Sequence, residues 1–311
     1  MNNNYPLVTV IFLSYQQERY VEEALLSLLN QDYEKIELII SDDASQDRTQ
    51  EIIQFGLDKY LGPKKIVKTF NDKNLGLVPN FNKCLNIASG EIIVVAAGDD
   101  ISLVDRVSKS VDILMKEGIS AVSFSDIRID ENGNAIPWHQ LDVDNVFSLK
   151  DYLSGSKLHA SGASRAFKRE VFDVFGDINI TCPTEDTPYI LRALYLGDFY
   201  VSKEPSIKYR VHPRSLSSPS SLYRMDVSLI TNQYMFDACN AFSKNIVDAD
   251  TFYQISRWIE YLGIYRNAGK ELYFSKNKSL YFLSDIVFSK KIKLFDKLRL
   301  AKQAFKFLIQ K

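Results

Sequence analysis

The sequence predicts an α/β fold: a doubly wound sheet with helices on both faces, then a helical C-terminal extension. Two features carry this. Continuous apolar, β-branched runs alternate with segments of helical spacing over about the first 130 residues, as in βα units. Beyond about residue 216 the strand-like runs give way to helical spacing rich in aromatic residues.

Leu7–Leu13 is the first run, apolar at every position but one, and it reads as a strand buried on both faces. Val21, Leu25, Leu28 and Leu29 recur with helical spacing. Ile36–Ile40 is a second strand, followed by a helix marked by Ile53, Leu57 and Tyr60. Ile66–Phe70 gives a third strand, and a helix spans about Val78–Ala88 with Ser89-Gly90 as its stop. Ile92–Ala97 is a fourth buried strand, a helix covers about Leu103–Met115, and Ala121–Asp130 is a further strand closed by a Glu131-Asn132-Gly133 turn. Residues 136–215 mix loops with short elements and hold most of the prolines. The expected division is therefore 1–215, itself split near residue 130, and 216–311.

Composition excludes several classes. With 46% hydrophobic and 25% charged residues the chain can bury a core and stay soluble. A formal net charge of −1 offers no general attraction to nucleic acid. The three cysteines, Cys84, Cys182 and Cys239, are odd in number and far apart, which argues against a disulfide framework or a zinc cluster. The first residues lack a basic start and a long apolar run, and no stretch has the length of a membrane span. The expected location is the cytoplasm, at the inner face of the membrane if the C-terminal segment docks there.

Ligands of doubly wound sheets bind beyond the carboxyl ends of the strands. Two strands end there in acidic pairs. Asp99-Asp100 suits Mg²⁺ or Mn²⁺, which prefer oxygen ligands; its alternative is a cap for the next helix. Asp42-Asp43 can accept from a base imide or a ribose hydroxyl; its alternative is turn and capping chemistry. In Glu185-Asp186-Thr187-Pro188, Pro188 fits a first helical turn and Thr187 a cap. A carboxylate there suits either a general base or plain capping.

Together the stretches VTVIFLSYQQERYVEEALLSLLNQ, IELIISDDASQDRT and NLGLVPNFNKCLNIASGEIIVVAAGDD resemble family 2 inverting glycosyltransferases over about residues 5–215. The resemblance implies a GT-A fold, a Rossmann-like mixed sheet with a smaller acceptor side. It implies a nucleoside-diphosphate-sugar donor, UDP-linked by preference, a glycan or glycolipid acceptor, and Mn²⁺ or Mg²⁺ as cofactor. Leu13 and Tyr15 would line the base, Asp43 would bind its imide, and Asp99 would hold the ribose. Asp100 would hold the metal, with His212 of Arg210-Val211-His212 beside it and Arg210 at the donor. Asp186 would deprotonate the acceptor, Glu185 and Arg192 would shape the site, and Gly162 of His159-Ala160-Ser161-Gly162-Ala163 would line the sugar pocket. Where many members carry a further aspartate, this chain has Ala97. The rival readings are a sugar nucleotidyltransferase, which would need a Gly-rich loop where Leu13–Gln17 stands, and a non-catalytic sugar-nucleotide module. A hydride-transfer enzyme is disfavoured because no GxGxxG follows the first strand.

The last segment, Lys290–Lys311, holds eight basic residues against one acid, with Leu294, Leu298, Ala301, Phe305 and Leu308 on one helical face. That stripe fits peripheral contact with an anionic membrane or packing on the protein body.

Overall fold

A computed structural model describes residues 5–138, 141–155, 158, 162–212, 215, 218–274, 289 and 291–309. The chain divides into two compact units, Met1–His212 and Pro213–Lys311.

The first unit is built on one sheet. Among the described residues its nine strands are β1 Val8–Ser14, β2 Ile36–Asp42, β3 Lys65–Phe70, β4 Ile92–Ala97, β5 Ile101–Ser102, β6 Ile119–Ile129, β7 Asn145–Phe147, β8 Ala166–Lys168 and β9 Asp198–Arg210. Their order is β3-β2-β1-β4-β8-β6-β9-β5, with β7 paired to β9 off that path. Helices α1 Val21–Leu29, α2 Thr49–Asp58, α3 Leu77–Ile87 and α4 Arg106–Leu114 join or follow the early strands. Later come α5 Leu149–Ser154, α6 Glu170–Asp173 and α7 Asp186–Leu196.

β1 pairs in parallel with both β2 and β4, which fills its two edges, and residues of both its faces are buried, so its sequence is apolar nearly throughout. Val8, Val10 and Phe12 join a core with Val21, Leu25 and Leu28 of α1 and Val107, Val111 and Leu114 of α4. An aromatic cluster forms where α3, β8, α6 and α7 meet: Phe172 lies 4.6 Å from Tyr189 and 5.5 Å from Phe167, and Phe81 lies 5.6 Å from Tyr189. The strand and helix expectations through residue 130 hold to within a few residues. Gly90 acts differently from the expected helix stop. α3 ends before it, and a Cβ on Gly90 would fall 2.3 Å from the Thr9 backbone nitrogen, so glycine permits close backbone approach there.

The region expected as loops with short elements contains three strands of the sheet, the short β7 and the two that complete its path, β8 and β9. β8 runs antiparallel between β4 and β6, which makes the sheet mixed. β9, 13 residues long, runs parallel to β6. Its register shifts between Phe124↔Ser202 and Ser125↔Pro205, so the proline sits at an irregularity where a ladder N–H is dispensable.

The second unit is helical: α8 Pro219–Arg224, α9 Val227–Ser243, α10 Ala249–Phe274 and α11 Leu294–Ile309. Ser218 and Asp226 accept backbone N–H bonds at the starts of α8 and α9. Tyr234 and Trp258 join α9 to α10 with ring centroids 5.7 Å apart. No helix of the described residues is long and apolar enough to cross a membrane.

Candidate functional site

The turns leaving β1 and β2 are locked together. Gln16 (φ 52°) and Ala44 (φ 60°) both take the left-handed conformation that side chains resist. The Gln16 amide donates to Ser45 Oγ at 2.8 Å, and Ser45 Oγ donates to Asp42 Oδ2 at 2.7 Å. Ser14 Oγ (2.9 Å) and Gln50 Nε2 (2.7 Å) also donate to the buried Asp42 carboxylate, so Asp42 carries the turn chemistry. Neither aspartate caps α2, which starts at Thr49.

Asp43 faces another loop. Its Oδ1 accepts from Asn71 Nδ2 (2.9 Å) and the Leu75 amide (2.8 Å), and Oδ2 accepts from the Gly76 amide (2.8 Å). A carboxylate offers about four acceptor positions, so these three bonds leave one unfilled on a side chain that is 4% exposed. Tyr15 is exposed and follows Ser14, whose carbonyl accepts the Asp43 amide at 3.0 Å, and the Leu13 carbonyl accepts the Gly98 amide, tying β1 to the loop after β4.

That loop carries Asp99 and Asp100. Neither caps α4, whose N-cap is Asp105. Asp99 Oδ2 lies 3.0 Å from His212 Nε2, and the His212 ring packs on Tyr20 with centroids 5.3 Å apart. Asp100 turns inward, only 6% exposed, and its Oδ1 accepts the Arg210 amide at 2.8 Å. Burial, then the Asp99 charge, raises the Asp100 carboxyl well above the usual carboxylate range, against the lowering pull of the Arg210 amide and Arg106. Arg210, expected at the donor, also points inward and is 2% exposed. Its Nε donates to the Asp99 carbonyl (3.0 Å), Nη1 to the Asp130 carbonyl (3.2 Å) and Nη2 to Glu23 Oε2 (2.8 Å), while Tyr20 covers its face at 4.6 Å. Arg210 therefore braces the acidic loop from behind.

A hard divalent cation fits this corner. Among the described residues no three His, Cys, Asp or Glu side chains are grouped to hold a metal. Mg²⁺ and Mn²⁺ commonly use one or two protein ligands and take the rest from phosphates and water, which the Asp99–His212 pair permits.

Asp186 opens α7. The expected capping by Thr187 is not realised; its hydroxyl is buried without a hydrogen-bond partner, and no side chain caps this helix. The Asp186 carboxylate accepts from Thr184 Oγ1, and its Oδ2 stands 3.6 Å from Arg165 Nη1, which donates to the Asp186 carbonyl at 2.7 Å. Gly162 lies against it: a Cβ there would come within 2.8 Å of Asp186 Oδ2. His159, Ala160 and Ser161 lie outside the described residues. Burial of the carboxyl group, with the Asp186 charge adjacent, pushes Glu185 up to about 7. Arg192 braces the Gly176 carbonyl at 2.6 Å.

Two buried arginines escaped the sequence reading. Arg165 is described above; Arg106 donates to Ser102 Oγ (2.9 Å), the Val95 carbonyl and the Ala163 carbonyl (2.7 Å). Burial lowers Arg106 to about 10 despite the Asp100 charge. An arginine in an amphipathic helix reads as a surface residue, so sequence gave no signal for it.

The family model for glycosyl transferase family 2 matches residues 9–176, more than half of the chain. The chain belongs to this family. Among family relatives, a Campylobacter jejuni protein named GalNAc(5)-diNAcBac-PP-undecaprenol beta-1,3-glucosyltransferase is 31% identical over 178 residues, 55% of this chain and 52% of the relative. The chain spans about half the length of the curated relatives it matches. The crystal structure of S. aureus TarS 1–349 superposes with a TM-score of 0.61 at 17% identity, covering 93% of this chain and 76% of TarS 1–349. The mannosyltransferase PcManGT from Pyrobaculum calidifontis gives 0.58 at 19%, covering 99% and 89%. These similarities show the GT-A-like fold that the sequence resemblance implied.

Proposed function

We propose that the chain transfers a sugar from a nucleoside diphosphate to a carbohydrate hydroxyl with inversion at the anomeric carbon. The observation that carries this reading is the placement of three acidic sites in one unit. Asp43 sits after β2, Asp99 with His212 after β4 and β9, and Asp186, gripped by Arg165, at the start of α7.

Asp43, with one acceptor position left, takes the ring N–H of the base. Uracil is our preferred base: TarS has been crystallised with UDP and with UDP-GlcNAc, although PcManGT holds GDP-Man and Mn²⁺. Leu13 and Tyr15 flank Ser14, whose carbonyl accepts the Asp43 amide, and would border the same base. Asp99 and His212 are the side chains that would hold a divalent cation, rather than Asp100, which is more deeply buried and has its Oδ1 taken by the Arg210 amide. Such a cation offsets charge on the leaving diphosphate. Asp186 takes the proton from the acceptor hydroxyl as its oxygen attacks the anomeric carbon and the bond to the diphosphate breaks. Arg165 and Gly162 fix the direction of that carboxylate. A hexosyl or N-acetylhexosaminyl donor and a glycan or glycolipid acceptor complete the proposal. The name of the Campylobacter relative, a transferase acting on a polyprenyl-linked glycan, supports a lipid-linked acceptor.

Asp186→Asn tests the reading. It keeps the shape but cannot take the proton, so transfer should fall roughly 10²–10⁴-fold while UDP affinity by calorimetry stays near wild type. Near-normal turnover by the folded variant removes Asp186 from the role of base.

A further inference from the structure

We propose that the exposed face of α11 docks on the surface of an anionic lipid bilayer. The structure separates two faces of this helix that the sequence alone leaves merged. One face packs: Leu300 and the preceding Ile292 are buried with Leu272, and Ile264, Tyr265 and Ala268 of α10 pack around them. Asp296, the only acid from residue 290 onward, is also spent there, accepting from the Tyr261 hydroxyl and from Arg299 Nη1 (3.3 Å).

The other face is open over its described side chains. Leu294 and Leu298, one turn apart, are 76% and 62% exposed. The apolar stripe of the sequence therefore begins on residues that α10 leaves uncovered, and internal packing does not account for them. Lys297 and Lys302 flank the stripe, about 60° and 80° to either side of the Leu294 direction at 100° per residue. Lys291 and Lys293 are exposed at its start. An apolar ridge edged by lysines on a helix too polar to span is the pattern of a helix lying in the headgroup region.

Charge selects the occupant. Residues 290–311 carry eight basic side chains and one acid, whereas residues 1–289 carry 30 basic and 38 acidic ones. The excess of cations thus lies at this end of a chain with net charge −1. A second copy would set the same basic face against itself, so like charges oppose a symmetric dimer through it. Nucleic acid would leave the two leucines without a role. An anionic bilayer accepts both the lysines and the leucines.

The full-length chain is tested by co-sedimentation with phosphatidylcholine vesicles with and without phosphatidylglycerol, at low and high salt. Binding is expected to the phosphatidylglycerol vesicles alone and to weaken as salt rises. Leu294→Glu with Leu298→Glu, and separately Lys291→Glu with Lys302→Glu, should each lower that binding about tenfold or more. All four positions lie outside the proposed donor site, so retained UDP binding and melting temperature report intact folding in either variant. Absence of binding at low salt, equal binding to both vesicles, or wild-type binding by the folded variants overturns the proposal. So does a solution dimer that the leucine substitutions dissociate while vesicle binding is absent, because the face would then belong to a second copy. Because the readout is lipid binding, a negative result here leaves the transfer reaction untouched, and the reverse also holds.

Discussion

Asp99 and Asp100 are neighbours with different surroundings, and substitution should separate them. Asp99→Asn removes charge beside His212, so the increment that Mn²⁺ adds to UDP affinity should be lost while stability stays close to wild type. Asp100→Ala strips the acceptor from the buried Arg210 amide, which costs about 1–3 kcal/mol. Its main signature should be a lower melting temperature. Calorimetry of UDP with and without Mn²⁺, beside thermal unfolding, distinguishes the pair; loss of the Mn²⁺ increment only in a stable Asp100→Ala would assign the cation to Asp100. Glu185 gives a pH-dependent prediction. Its folded value of about 7 exceeds the ordinary 4.5, so the folded state binds the proton more tightly. Stability therefore falls as pH rises from about 4.5 to 7. Glu185→Gln should remove that slope, equalling wild type at acid pH and exceeding it above neutrality. Parallel melting curves across pH would reveal an unchanged slope if the carboxyl group is ordinary. Asp43, Asp99 and Asp100 could be placed at strand ends because each follows an apolar run, and Asp186 at a helix start because Pro188 follows it. Arg165 was not singled out, and Arg210 was expected at the donor rather than as a brace: their contacts are with Asp186 and Asp99, 21 and 111 residues away in sequence.

Among the elements, the sheet keeps a second acidic device far from the proposed chemistry. Glu37, fully buried near the start of β2, accepts from Thr9 Oγ1 (2.7 Å), the Ser89 amide (2.8 Å) and Oγ (2.6 Å), and Lys65 Nζ (2.6 Å). Burial alone would raise its carboxyl, but these donors outweigh it and hold it down to about 2. The unfolded chain binds that proton near 4.5, so the stabilisation is full above about pH 4.5 and is lost as pH falls toward 2. Allowing for solvent around the exposed Lys65, it is worth roughly 2–3 kcal/mol. Glu37→Gln should melt about 5 °C lower or more and bind UDP as the wild type does. An unchanged melting temperature would show that the ion pair adds nothing net. β1, beside Glu37, was readable because burial on both faces leaves a nearly unbroken apolar run, whereas β3 on the other side is only partly buried and shows a shorter one. β5, β7 and β8, of two or three residues, are too short to show a period. β9 was masked by Pro205 and by its Lys and Glu residues, which the irregular register with β6 accommodates.

For the molecule as a whole, the α/β half and the helical end were legible as a change of rhythm along the sequence. The face that α11 presents was not, because periodicity finds an apolar stripe without saying what covers it. The charge separation described for α11 also bears on handling the protein. A sequence pI of about 6.3 implies that the chain should pass through a cation-exchange column at neutral pH. Adsorption responds to the patch that meets the resin rather than to the average, and eight cations against one anion within 22 residues make a strong local patch. At pH 7 and low salt the intact chain should therefore be retained on sulfonate resin as well as on a quaternary-amine resin. A version ending at Ser289 should lose only the first behaviour, and its continued retention on sulfonate would place the responsible cations elsewhere in the chain.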